Sequence, residues 1–358
     1  MYKEKLIKPD GRYLLTYWQK PTTFNLINCT ETPFAEPNNL LRWNPVLEEW
    51  VGIAHQRQAR TFFPPDDFCP LCATKPGNFT TEIPLEHYEI AVFQNKFPAF
   101  TANSFNPTLD EFYEVDSAKG ECEVIVYSQN HEATLTNLSE KEIQNLIEVW
   151  ADRFVELGKR SYIKYVYIFE NKGREIGVTL PHPHGQIYTF PFIPPIPQRE
   201  LKSSKKYYKK NQKCLFCDII GNELAHKERI IVENDAFVAF IPFYARWPYE
   251  THVYPKYHAS AITDFTEKEH QQLAKLLKNL LERFDNLWKR SFPYIMLMHQ
   301  RPTDGKDYSY YHFHIEFYPP YRSADKLKYL AGVEAGCGVF LNDTVAEEKA
   351  KELRQILK

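Results

Sequence analysis

The residues best equipped for chemistry lie in Pro181-His182-Pro183-His184-Gly185-Gln186. Two imidazoles two residues apart, with an amide two further on, could serve a metal and a substrate from one short segment. Successive side chains of an extended backbone point to opposite faces, so the spacing predicts that His182, His184 and Gln186 share one side. Cys69-Pro70-Leu71-Cys72 and Cys214-Leu215-Phe216-Cys217 have the separation at which two thiolates grip one zinc, and redox pairs use it too. Histidines at a suitable distance decide for metal, and His131 and His182 accompany the first pair.

Taken with Glu170-Asn171-Lys172-Gly173 and Gly177-Val178-Thr179-Leu180, the histidine run resembles the active-site segment of galactose-1-phosphate uridylyltransferases. The resemblance implies that His184 is the nucleophile that takes up a uridylyl group, that Gln186 holds phosphoryl oxygens and that His182 binds a metal. It places Asn171 and Thr179 at the substrate, Phe93 and Asn95 near the base and ribose, and Arg57 and Arg60 near the phosphates. Guanidinium forks suit that last task, since they donate two parallel hydrogen bonds. By their types alone these residues read more plainly, the arginines as solvated surface, Phe93 as core and Asn95 as a turn. The family's first metal site maps onto Cys69, Cys72, His131 and His182. Four ligands leave no open position, so the expected zinc is structural and holds His184 in register through His182. Near the C-terminus, Lys328 and Glu334 match a lysine and a glutamate that reach the substrate sugar, in dimers from the neighbouring chain. Gly338-Val339-Phe340-Leu341-Asn342-Asp343 stands where relatives carry a glutamine on the hexose phosphate, which leaves the sugar open.

The elements that must position these groups occur twice. Ser139-x-x-Glu142 is a capping box, followed by Ile143, Leu146, Ile147, Trp150 and Phe154 on one helical face up to Gly158. Thr266-x-x-Glu269 opens a second helix, with Leu273, Leu276, Leu277, Leu280, Leu281, Phe284 and Trp288 on its buried side. His258 precedes its cap at the spacing at which His131 precedes Ser139. The strand Tyr294 to Met298 leads to His312-Phe313-His314-Ile315-Glu316, the counterpart of His182 to Gln186. Duplication therefore predicts a second zinc site from Cys214, Cys217, His258 and His312. A rival set, implied by relatives that lack these cysteines, is Glu200, His299, His312 and His314. The cysteine set is preferred because thiolates outcompete a carboxylate for zinc. Glu316 puts a carboxylate where a phosphate would lie, so the second copy is expected not to transfer nucleotides.

The expected fold is α+β: two tandem histidine-triad-like repeats, each an antiparallel sheet with a packed helix, joined into one larger sheet. Residues 1–38 read as an N-terminal extension, 39–198 as the catalytic repeat, 199–213 as a lysine-rich solvated linker and 214–358 as a degenerate repeat with a substrate-binding tail.

Forty-four basic against 46 acidic residues argue against a general nucleic-acid surface. No run approaches the roughly 20 apolar residues of a spanning helix, and the N-terminus lacks a signal-like apolar stretch. Seven cysteines, four of them in Cys-x-x-Cys pairs, fit a reduced compartment, and a cytoplasmic location is expected. Cys29, Cys122 and Cys337 are read as buried free thiols. The resemblance implies a zinc-containing homodimer acting on a nucleotide sugar and a sugar 1-phosphate. The expected reaction exchanges UMP between UDP-glucose and galactose 1-phosphate through a uridylyl-histidine. The alternatives are a nucleotide-sugar phosphorylase using ADP-glucose or similar, and a non-catalytic zinc-stabilised nucleotide-binding module.

Overall fold

A computed structural model of the chain describes all residues except 25, 28–31, 60–63, 65–67, 76, 78–79, 104, 106, 109–110 and 358. Arg60 and Cys29 lie outside the described residues. In chain order the first half holds β1 (Tyr2–Ile7), β2 (Tyr13–Trp18), β3 (Leu40–Asn44), β4 (Glu49–Ile53), β5 (Ile90–Gln94), β6 (Val115–Ser117), β7 (Cys122–Val126), α1 (Glu140–Gly158), β8 (Tyr165–Lys172) and β9 (His184–Phe190). Then come α2 (Pro195–Asn211), α3 (Leu215–His226), β10 (Ile230–Glu233), β11 (Phe237–Phe240), β12 (Thr251–Pro255), α4 (Glu267–Leu287), β13 (Tyr294–His299), β14 (His314–Tyr318), β15 (Tyr321–Ser323), β16 (Lys326–Leu327) and α5 (Ala346–Gln355).

Eleven strands form one sheet in the order β1-β2-β5-β7-β9-β8-β13-β14-β12-β11-β10, and every pairing in it is antiparallel. The order is symmetric about the β8–β13 seam: β9, β7 and β5 run outward on one side, β14, β12 and β11 on the other. The duplication read from the sequence is thus a spatial repeat, and the two copies share one sheet. Helices α1 and α4 pack on each other and on one face of it. Both capping boxes form, with Ser139 Oγ accepting from Glu142 N at 3.2 Å and Thr266 Oγ1 from Glu269 N at 3.4 Å. A cap contributes about 1 kcal/mol, whereas each fully buried large apolar side chain contributes roughly 1.5–3 kcal/mol. The stripes Ile143 to Phe154 and Leu273 to Phe284, all buried, therefore hold the helices down and the caps set where they begin.

Three expectations need correction. Residues 1–38 do more than pack on the body, because β1 and β2 extend the main sheet, with β2 hydrogen-bonded to β5. The lysine-rich segment 199–213 falls mostly in helix α2. Prolines at its first turn suit a helix start, and the buried Leu201 and Ser204 give it an inner face. Finally, Cys337 is exposed, whereas Cys122 is buried, and burial pushes the Cys122 thiol up to about 12.

Candidate active site and metal clusters

Alternation along β9 sorts its side chains. Gly185, Ile187 and Thr189 are buried, while His184, Gln186, Tyr188 and Phe190 are half-buried on the other face. On that face a cavity of about 700 Å³ is lined by Phe93, Asn95, Asn171, Thr179, His184 and Gln186, among others. Six of the residues expected at the substrate are thereby brought together. Arg57 is not among the lining residues; it donates to Phe97 O at 3.2 Å and to Tyr188 Oη at 2.7 Å, behind the Lys96–Pro98 edge of the cavity. Lys328 and Glu334 also lie outside the lining, buried and paired with each other at 3.1 Å. The sequence reading passed over Gln56, Leu71, Val124 and Leu180 in the wall, apolar or amide side chains whose types carry no signal without the register.

His184 Nδ1 lies 2.7 Å from His182 O. A carbonyl can only accept, so Nδ1 carries the proton and Nε2 carries the lone pair. This fixes the tautomer of an imidazole held on a rigid strand.

His182 precedes β9 and turns away from the cavity into a cluster with Cys69, Cys72 and His131, whose ligand atoms all lie within 4.8 Å of one another. The alternation expected to put His182 beside His184 begins only where the strand begins. His182 Nε2 donates to Ser128 O at 2.8 Å, which leaves the Nδ1 lone pair facing Cys69 Sγ at 3.7 Å and Cys72 Sγ at 3.5 Å. His131 Nδ1 is 3.5 Å from Cys72 Sγ. A tetrahedron with bonds of about 2.3 Å to sulfur and 2.0 Å to nitrogen has edges of roughly 3.5 Å, so the donors stand at metal-ligand separations. Burial, and then the neighbouring Cys72, raise the Cys69 thiol to about 12; a dication between the sulfurs would reverse that.

The second cluster repeats the first. Cys217 Sγ lies 3.4 Å from His258 Nδ1 and 3.6 Å from His312 Nδ1, Cys214 Sγ lies 4.0 Å from His312 Nδ1, and His312 Nε2 donates to Pro255 O at 3.2 Å. The rival set is not assembled as expected, because His312 belongs here. Instead Glu200, His299, His314 and Glu316 form a third, separate group. Its cause is the strand start again: His314 and Glu316 lie on β14 and share a face, with His299 directly opposite His314, whereas His312 precedes the strand. Glu200 reaches the group from α2, 3.0 Å from His299 Nδ1, and Tyr311 donates to it at 2.6 Å. The two sets are therefore not alternatives. Burial disfavours charge on His314, but hydrogen bonds to Glu200 and Glu316 outweigh it and raise its pKa to about 10.

The galactose-1-phosphate uridyl transferase N-terminal domain profile matches residues 33–194, and the C-terminal domain profile residues 200–358. The galactose-1-phosphate uridylyltransferase of Thermotoga maritima is 39% identical over 318 residues, which is 88% of this chain and 98% of the relative. That of Haemophilus influenzae is 35% identical over 329 residues, 88% of this chain and 93% of its own. A solved uridylyltransferase structure superimposes with a TM-score of 0.79 at 35% identity, covering 89% of this chain and 98% of that one. A solved ADP-glucose phosphorylase from Arabidopsis thaliana, 23% identical, shares the fold at a TM-score of 0.67 over 90% of this chain and all of that one. Two domain profiles spanning nearly the whole chain, and relatives above 30% identity along most of their own length, identify the chain as a member of the galactose-1-phosphate uridylyltransferase family.

Proposed function

We propose that the chain exchanges UMP between UDP-glucose and galactose 1-phosphate at His184. The observation that carries this reading is the contact of His184 Nδ1 with the His182 carbonyl, in a cavity also lined by Gln186, Asn95 and Asn171. Nε2 attacks the α-phosphorus, an Nε2–P bond forms, the bond to glucose 1-phosphate breaks, and glucose 1-phosphate leaves. A phosphate oxygen of galactose 1-phosphate then attacks the same phosphorus, and the electron pair returns to Nε2. The His182 carbonyl, holding the Nδ1 proton, stabilises the positive charge on the uridylylated ring. Gln186 donates its amide N–H to phosphoryl oxygens and, having no acid or base function, does not activate water. Arg57, and Arg60 with it, would offset phosphate charge.

Zinc is the ion that fits the first cluster, two thiolates and two imidazoles at tetrahedral spacing, and the second cluster offers the same donors. With all positions filled by protein, such an ion supplies rigidity and no open Lewis-acid site. Residues 39–198 then serve as the catalytic repeat and 214–358 as the degenerate one, in which Glu316 replaces Gln186. The family resemblance further supports a homodimer in which Lys328 and Glu334 reach the neighbour's sugar, and a reducing cytoplasm would keep the paired thiols available for metal. Among the described residues no helix is long and apolar enough to cross a membrane.

Initial rates test the scheme. Varying UDP-glucose at several fixed galactose 1-phosphate concentrations should give parallel double-reciprocal lines, and glucose 1-phosphate should exchange into UDP-glucose without galactose 1-phosphate. Intersecting lines together with no exchange would contradict it.

A further inference from the structure

The family match begins at residue 33, yet Asp10 and Thr32 help to wall the cavity around His184. Asp10 belongs to the turn between β1 and β2, closed by Lys8 N donating to Arg12 O at 2.8 Å and Gly11 N to Lys8 O at 2.9 Å, with Gly11 at φ 90°. The hairpin is docked on the cavity's own wall, because Leu14 pairs with Phe93 across β2 and β5 and Lys8 Nζ stands 5.7 Å from the Phe93 ring centre.

This turn buries Lys8, Asp10 and Arg12 at 2%, 7% and 1% exposure. Burying an ion costs several kcal/mol before pairing, so a wall built of charges invites a reason. The fourth member of the group is Glu82, itself a cavity-lining residue. Its Oε2 accepts from Lys8 Nζ at 2.8 Å and faces Arg12 at 2.6 Å. Arg12 also bridges to Asp10 at 2.6 Å and donates to Gln94 O at 2.8 Å, while Asp10 Oδ1 accepts from Arg12 N at 3.0 Å. Two cations thus hold two carboxylates, and Glu82 Oε1 is left without a hydrogen bond among the described residues.

We propose that Glu82, fixed by Lys8 and Arg12 of the N-terminal hairpin, is a specificity residue of the nucleotide site and accepts a hydrogen bond from a uracil ring N–H. The proposal rests on reading the cavity as a UDP-sugar site. Both cations hold Oε2, which leaves Oε1 as the oxygen placed to accept a hydrogen bond from a ligand. Uracil offers it the N3–H donor, whereas cytosine presents an N3 lone pair at the same edge, and two facing acceptors in a partly buried wall repel. A site built to receive one polar hydrogen rejects the analogue that lacks it far more strongly than shape alone would.

The test compares how fast UDP-glucose and CDP-glucose load a nucleotidyl group onto the protein, followed by intact mass, in wild type, Glu82→Gln and the charge-balanced double variant Lys8→Met/Glu82→Gln. Thermal melts report which variants fold, and the double variant removes a cation together with the anion. The preference for UDP-glucose should fall at least about tenfold in every folded variant that lacks Glu82. In steady state the loss should appear in KM for UDP-glucose and leave KM for galactose 1-phosphate in place. An unchanged preference in a folded variant overturns the proposal while the transferase reading stands. A wild type loaded by neither sugar nucleotide overturns that reading, and the proposal with it.

Discussion

In the proposed scheme His184 owes its role as nucleophile to one contact, since the carbonyl of His182 dictates which ring nitrogen carries the lone pair. Gln186 completes the pair by being neutral. Gln186→Glu keeps the shape and places a carboxylate against phosphate, so kcat/KM should fall by roughly 10²–10³; a steady-state rate within threefold of wild type would show that Gln186 does not meet phosphate. The second copy offers a contrast within the chain. Its Glu316 contacts His314 and His252 at 3.5 and 3.3 Å, where Gln186 lines a cavity. At this scale residue type alone singled out side chains that the fold brings together: His184 and Gln186 at the cavity and the four cysteines in the two clusters. It was not informative for Glu82, because an isolated glutamate carries no mark of the hairpin that clamps it. The sequence reading placed His312 correctly with Cys214, Cys217 and His258, but the rival set counted His312 where Glu316 stands, because the strand start that separates His312 from His314 depends on pairing with distant strands.

Between elements, the centre of the sheet is fastened by a buried carboxyl. Glu170 on β8 accepts from Tyr127 Oη at 3.1 Å and from Tyr294 Oη at 3.2 Å, linking the end of β7 to β13 across the seam of the two repeats. Burial raises its pKa to about 7, with Lys172 and the two hydroxyls pulling only partway back. Its folded value exceeds its unfolded one, so the folded state binds more protons between them. The stability it contributes is complete below about 4.5 and is lost as pH rises through about 7, a difference of about 3 kcal/mol. Denaturant melts should show wild type weakening from pH 5 to pH 8, and Glu170→Gln should flatten that dependence; parallel profiles would contradict the assignment. Tyr127 also explains Gly185, since a Cβ there would meet Tyr127 Oη at 2.2 Å. Gly185→Ala should cost about 1–3 kcal/mol, and Tyr127→Phe should restore most of it. Failure of that rescue would place the strain elsewhere. Helices α1 and α4 could be read in advance because cap and stripe are local signals. Helix α2 could not, because its lysine-rich composition masks a narrow inner face of Leu201 and Ser204.

Across the whole molecule, two copies share one sheet, and the proposed scheme gives the chemistry to the first. Both keep a cluster of two cysteines and two histidines, while the cavity around His184 lies in the first. Metal analysis should find about two zinc ions per chain, with Cys69→Ser and Cys214→Ser each losing one. Cys69→Ser should lose most activity, because its cluster holds His182, and Cys214→Ser should chiefly lower Tm; two zinc ions retained in Cys214→Ser would remove the second site from the account. The repeat could be read from spacing alone, whereas the symmetric strand order about β8 and β13 could not, since nothing local says which edges meet. The central claim is covalent, and one measurement addresses it most directly. Wild-type protein incubated with UDP-glucose, without acceptor, should gain one uridylyl group by intact mass, mapping to His184 and discharging when galactose 1-phosphate is added. A chain that stays unmodified, or is modified equally well as His184→Gly, would contradict the account.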